Sequence, residues 1–255
     1  MKLSANLGFM WNDRSLPDAI RAAKAAGFDA VECHWPYDVP AETIKNTLIE
    51  TGLPMLGLNT RRGDAANGEN GLAALPERQA DARAAIDEAI AYAAAIDCAK
   101  VHVMAGFASG DAAHTMFVAS LTYACAQAAR NGITILIEPL NKYDAPGYFL
   151  STTGQAKAII AEVNAPNLKL MFDCYHVQLM EGDISHRLTD LLPLIGHIQF
   201  ASVPDRGPPD AGELNYAHVF QSIAKLGYDA PLGAEYKPIG NTDDTLAWMK
   251  SLAGR

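Results

Sequence analysis

The chain has 255 residues, 49% apolar and 19% charged, with a formal net charge of −9. The length and apolar fraction exclude wholesale disorder and leave room for a core that needs no disulfide staples. The acidic balance supplies no basic stripe for phosphate backbones, so no nucleic-acid partner is expected.

Cys33, Cys98, Cys125 and Cys174 form no C-x-x-C pair and no dense framework, so reduced thiols in a cytoplasm-like compartment are expected. The opening MKLSANLGFMW has no apolar run of signal-peptide length. No apolar run reaches the ~18 residues of a membrane span, so no membrane partner is expected either.

Along the chain, short β-rich apolar runs alternate with longer Ala-rich stretches of helical spacing. Strands are predicted at Leu3–Gly8, Ala30–His34, Met55–Leu58, Lys100–Met104, Thr134–Glu138, Lys169–Asp173, His197–Phe200 and Leu232–Glu235. Helices are predicted at Leu16–Ala26, Ala41–Glu50, Glu77–Ile96, Ala112–Arg130, Thr153–Val163, Arg187–Leu192, Tyr216–Lys225 and Thr242–Leu252. Ser15 followed by Asp18 reads as a capped helix start, and Gly27, Gly52, Gly132 and Gly227 read as helix stops. Eight such units in one chain predict a single (β/α)8 TIM barrel over residues 1–255. A doubly wound sheet is the competing fold, but Gly8-Phe9-Met10-Trp11-Asn12 after the first strand is not a glycine-rich phosphate turn.

In such a barrel the chemistry sits at the C-terminal ends of the strands. Glu138, Asp173, Gln199 and Glu235 close four successive apolar runs there. A single acid in that place reads as a helix cap. Several converging near one axis would repel, and a shared divalent cation resolves the repulsion. All-oxygen ligands point to Mg²⁺ or Mn²⁺. His176, three residues after Asp173, is either a loop histidine or a substrate contact, and its position favours contact. His102, inside an apolar strand, is balanced between a core histidine and a site residue, and His34 is similar. Arg206 in the Pro-rich loop after the seventh strand is a candidate clamp for a substrate carboxylate, with Glu213 to orient it and Lys237 as a second cation. The segment from Asn59 to Leu75, with three glycines, is either a binding loop or a flexible excursion. Phe9, Trp11 and Trp35 suit the barrel mouth or the core. The alanines of Ala89–Ala95 suit close helix–barrel packing or a contact between subunits of a homo-oligomer.

The stretches Val31-Glu32-Cys33-His34-Trp35-Pro36-Tyr37, Val101-His102-Val103-Met104-Ala105-Gly106, Ile137-Glu138-Pro139-Leu140-Asn141, Phe172-Asp173-Cys174-Tyr175-His176 and Ala201-Ser202-Val203-Pro204-Asp205-Arg206 resemble the hydroxypyruvate isomerase group of the xylose-isomerase-like TIM barrels. The resemblance covers nearly the whole chain. It implies metal ligation by Glu138, Asp173, Gln199 and Glu235, and proton transfer by Glu138 and Glu235. Gln199 stands where the sugar 3-epimerase relatives carry His, which argues against that activity. Gly207-Pro208 departs from the His-Glu of close relatives and leaves the local substrate contacts open. The implied reaction converts hydroxypyruvate, a small-molecule hydroxy-oxo acid, to tartronate semialdehyde. The same machinery would serve 2-oxo-tetronate. An apurinic endonuclease and a non-catalytic sugar-binding barrel are the remaining alternatives. The endonuclease would need a histidine-rich trinuclear site and a basic face, whereas the chain holds seven histidines and a net negative charge.

Overall fold

The computed structural model describes residues 1–253. Eight parallel strands, β1 (Leu3–Asn6), β2 (Ala30–Glu32), β3 (Leu58–Asn59), β4 (Lys100–His102), β5 (Thr134–Ile137), β6 (Leu168–Asp173), β7 (Ile195–Phe200) and β8 (Leu232–Ala234), pair in the order β2-β1-β8-β7-β6-β5-β4-β3. The remaining gap, between β2 and β3, is bridged by main-chain bonds from Leu56 N–H to Val31 O and from Cys33 N–H to Gly57 O. The predicted third strand begins later than expected, because Met55 makes only an isolated bridge with Val31. The sheet is thereby a nearly closed barrel.

Helices α1 (Leu16–Ala25), α2 (Ala41–Thr51), α3 (Gln79–Ala95), α4 (Gly110–Ala129), α5 (Thr153–Val163), α6 (Cys174–Met180), α7 (Ile184–Leu191), α8 (Tyr216–Lys225) and α9 (Ala247–Ala253) run between and after the strands. The expected caps form: Ser15 Oγ accepts from Asp18 N–H, and Gly52 ends α2 in the left-handed region. Two elements differ from the expectation. The single helix expected at Arg187–Leu192 is preceded by α6, and the last helix is split by a 3-10 turn at Thr242–Thr245. α6 begins directly at the end of β6, because Asp173 caps it by accepting from Tyr175 N–H. His176 is therefore on a helix and not in a loop.

β1, β2, β5 and β8 are buried on nearly every residue, as strands covered on both faces must be. Of the run Ala89–Ala95 in α3, Ala89 and Ala93 are buried in close helix packing, whereas Ala91 and Ala95 are exposed. All four cysteines are free and buried. No helix among the described residues is long and apolar enough to cross a membrane.

Candidate active site

At the C-terminal mouth of the barrel lies a cavity of about 400 Å³, walled in part by Phe9, Trp35, Met104 and Leu140. Of the residues singled out in the sequence, Glu138, Glu235, His102, His176, Arg206 and Lys237 line it. Phe9 and Trp35 thus belong to the mouth, whereas Trp11 is in the core and donates its indole N–H to Asp243.

Glu138 follows β5 and is buried. Its Oε1 has no hydrogen-bond partner, and its Oε2 is 3.7 Å from His102 Nδ1. Asp173, the last residue of β6, presents an equally unpartnered Oδ2. His176 reaches back from α6 to place Nε2 3.6 Å from that oxygen and 3.9 Å from Glu138 Oε1. Ligand atoms of Glu138, Asp173 and His176 all lie within 4.8 Å of one another. The buried, unpartnered oxygens of Glu138 and Asp173 fit a metal ion, since a cation would satisfy oxygens that nothing else satisfies, and His176 stands beside them.

The tautomer of His176 is fixed from behind. Asn141 Oδ1 accepts from the N–H groups of Tyr143 and Asp144, which settles the orientation of its amide. Asn141 Nδ2 and the Asn141 backbone N–H then both donate to His176 Nδ1, at 2.7 and 3.0 Å. The ring proton therefore sits on Nε2, aimed into the cavity. Burial, followed by the nearby Arg206, pulls the His176 pKa down to about 3, so the ring is neutral. Burial likewise holds His102 at about 3, with both its ring nitrogens unpartnered.

Glu235 follows β8 and is surrounded by donors: Arg206 Nη2 at 2.7 Å, Asn6 Nδ2 at 2.9 Å and His34 Nε2 at 3.0 Å. Burial opposes its charge, but Arg206 and His34 outweigh burial and hold it ionised, below the usual carboxylate range. Glu138 goes the other way: burial, then the charges of Glu235 and Asp173, push its pKa well up. Asp173 is pushed up to about 8 by burial and by Glu235.

Gln199 is buried in β7, where it pairs with Asp173 across the sheet. It lines a smaller space beneath the cavity, and its Nε2 donates to Glu32 Oε1. Its Oε1 has no partner. Glu213 is exposed and does not line the cavity. The carboxylates that meet Arg206 are instead Glu235, Asp144 at 3.6 Å and Asp173 at 3.7 Å. Glu213 was favoured by closeness in sequence, but its loop carries the side chain to the surface. Lys237 lies 6.0 Å from the Phe9 ring centre, and its N–H donates to Arg206 O. Sequence reasoning passed over Asn6, Glu32, Arg62, Asn70 and Asp144, and left His34 balanced between core and site, whereas it lines the cavity. For Asn6, Glu32 and His34 the available signal was a polar residue at the end of a predicted strand. Arg62 and Asn70 had no such signal, because they reach the cavity from the long segment after β3.

The profile of the xylose isomerase-like TIM barrel family matches residues 20–252. The 2-oxo-tetronate isomerase of Cupriavidus necator is 44% identical over 100% of this chain and 99% of its own length. The hydroxypyruvate isomerase of Escherichia coli is 37% identical over 98% of each chain. A solved structure described as AP endonuclease, family 2, from Brucella melitensis superposes with a TM-score of 0.95 at 39% identity, covering 98% of each chain. With that profile and these full-length relatives added to the barrel and its mouth, the chain belongs to the xylose isomerase-like TIM-barrel family, among its isomerases.

Proposed function

We propose that this chain interconverts a small 2-oxo-3-hydroxy acid and its aldehyde isomer, with hydroxypyruvate and tartronate semialdehyde as the pair. The observation that carries this reading is the convergence of Glu138 and Glu235, from the ends of β5 and β8, on one small cavity that also holds Arg206, with Asp173, at the end of β6, buried 3.7 Å from Arg206 and within ligand reach of Glu138. Glu138, Asp173, Gln199 and Glu235 would hold Mg²⁺ or Mn²⁺ through oxygen atoms. When bound, the ion supplies Lewis acidity to adjacent carbonyl and hydroxyl oxygens.

The chain's own residues do the rest. In the forward direction a proton leaves C3 of hydroxypyruvate and another arrives at C2, while the hydroxyl hydrogen passes from the C3 oxygen to the C2 oxygen. Glu235 accepts from three donors and is thereby kept as a carboxylate, which suits it to take the C3 proton. Glu138, across the cavity with a free Oε1, is suited to deliver the proton to C2. His176, with its proton on Nε2, donates to a substrate oxygen. Arg206 and Lys237 supply positive charge for the substrate carboxylate, and Phe9 and Trp35 exclude water from that side.

A second substrate has its own support: the Cupriavidus relative, at 44% identity over the whole chain, is named for 2-oxo-tetronate. The endonuclease description of the Brucella structure carries less weight here, because a net charge of −9 disfavours DNA.

NMR of solvent deuterium uptake tests the reading, with hydroxypyruvate and 2-oxo-tetronate side by side, with and without EDTA. The expected result is EDTA-sensitive incorporation, faster with hydroxypyruvate, and a loss of about 10²–10⁴-fold in Glu138→Gln and Glu235→Gln with ligand binding retained. No incorporation with either acid, together with nicking of abasic DNA, would overturn it.

A further inference from the structure

Beneath the cavity lies a second polar cluster that the proton transfer does not use. Glu32, buried at the end of β2, accepts from Gln199 Nε2 at 2.9 Å, Asn6 Nδ2 at 3.2 Å and His197 Nε2 at 2.5 Å. Asn6 Nδ2 also reaches Glu235, so the cluster touches one of the two glutamates of the cavity. Room for the Glu32–Gln199 pair is built into β8. A Cβ on Gly233 would stand 2.5 Å from Glu32 Oε1 and 2.8 Å from Gln199 Cγ, so no other residue fits there unless the pair moves.

A carboxamide differs from the carboxylate ligands around it in one respect. Only one of its two ends can bind a cation, and the two ends are nearly the same shape. Something must choose between them. Glu32 already accepts from Asn6 and His197, so it takes the NH₂ end of Gln199 as a further donor and leaves Gln199 Oε1 unpartnered.

We propose that Glu32 is a positioning residue: it fixes Gln199 with its carbonyl oxygen presented to the cation, so that metal affinity depends on a side chain that never touches the metal. This rests on the metal-centred reading above and adds the residue that sets the polarity of one ligand.

The test is Mn²⁺ binding to the metal-stripped full chain, read by the EPR signal of free Mn²⁺. Glu32→Gln should weaken binding by about 10- to 100-fold, the range for losing the partner behind a metal ligand. Gln199→Ala should weaken it too, and adding Glu32→Gln to Gln199→Ala should cost nothing more. If Glu32 acted only through its charge, or only by holding the barrel floor, it would weaken binding in both backgrounds alike; that result overturns the proposal. So does a Glu32→Gln affinity equal to wild type. A crystal structure of wild-type protein with Mn²⁺ tests the same point without any variant having to fold. Oε1 of Gln199 should be on the ion with Nε2 still on Glu32; a Gln199 turned away from either partner overturns the proposal. A wild-type chain that binds no Mn²⁺ removes the metal-centred reading along with this one, whereas normal binding and turnover in Glu32→Gln removes this one alone.

Discussion

Arg206 sits at φ 53°, a left-handed conformation that a non-glycine residue adopts only when its surroundings enforce it. Its N–H donates to Ser202 O, its own carbonyl accepts from Lys237 N–H, and its guanidinium stacks over the rings of Phe9 and Tyr175. Held in this way, it is the nearest positive charge to both Glu235 and Asp173. Arg206→Met would leave those buried carboxylates facing each other. It should lower the stability of the metal-free chain by about 3–5 kcal/mol, the cost of removing one partner from a buried pair. Added Mn²⁺ should recover part of that loss, because a divalent ion replaces the missing charge. Urea unfolding with and without Mn²⁺ measures both, and a variant as stable as wild type without metal would contradict the argument. At this scale the sequence was readable wherever chemistry and position coincided. Glu138, Asp173, Glu235, Arg206 and His176 could each be found as a polar residue at, or just after, a strand end. Partnerships were not readable: Arg206 meets Glu235, 29 residues away, and Glu32 meets Gln199, 167 residues away. Both distances follow from barrel closure and from nothing local.

The segment between β3 and α3 decides how freely the cavity opens. It could have been a flexible excursion, but it is stitched to the residues after β4. Gly71 bridges Ala105, Ala73 N–H donates to Met104 O, and Ala74 N–H donates to Ala105 O. The close approach needs two glycines: Gly71 at φ 114°, and Gly106 at φ 96°, where a Cβ would meet Gly71 O at 2.2 Å. Gly106→Ala should therefore push the segment outward, carrying Arg62 and Asn70 from the cavity wall, while Glu138 and Glu235 stay on their strands. The expected outcome is a stability loss of about 1–3 kcal/mol, with KM for the acid substrate rising more than kcat falls. Steady-state kinetics check this, and a fall in kcat at unchanged KM would show that the segment acts on the chemistry instead. Helix starts and stops were legible because Ser15 and the stop glycines act locally. α6 was not, because its cap is Asp173, a residue whose strand-end position suggested chemistry and concealed its second task.

For the molecule as a whole, the alternation of strand and helix was enough to give the barrel, since each unit's signal is local and eight units in one chain leave few other closures. What the alternation does not carry is the electrostatic balance at the mouth, which sets how stability responds to pH. Asp173, ordinarily near 3.8, is raised to about 8, and Glu138 is also raised. Carboxyls raised on folding stabilise the folded chain fully below their unfolded values, and that contribution drains away as pH rises through the folded ones. His102 and His176, lowered from 6.5 to about 3, act in the opposite sense: they remove stability as pH falls below 6.5 and contribute no slope above it. Glu235, lowered from 4.5, has a constant effect above that value. Between pH 6.5 and 8 the raised carboxyls at the mouth therefore set the slope. Metal-free protein should melt at steadily lower temperature across that interval. A divalent ion takes ionised carboxylates, so the increase in Tm that it produces should grow over the same interval. Thermal melts in EDTA and in Mn²⁺ at both ends of the interval decide the matter. A Tm in EDTA that is flat or rising, with a metal increment independent of pH, would mean that Glu138 and Asp173 are already ionised without the metal.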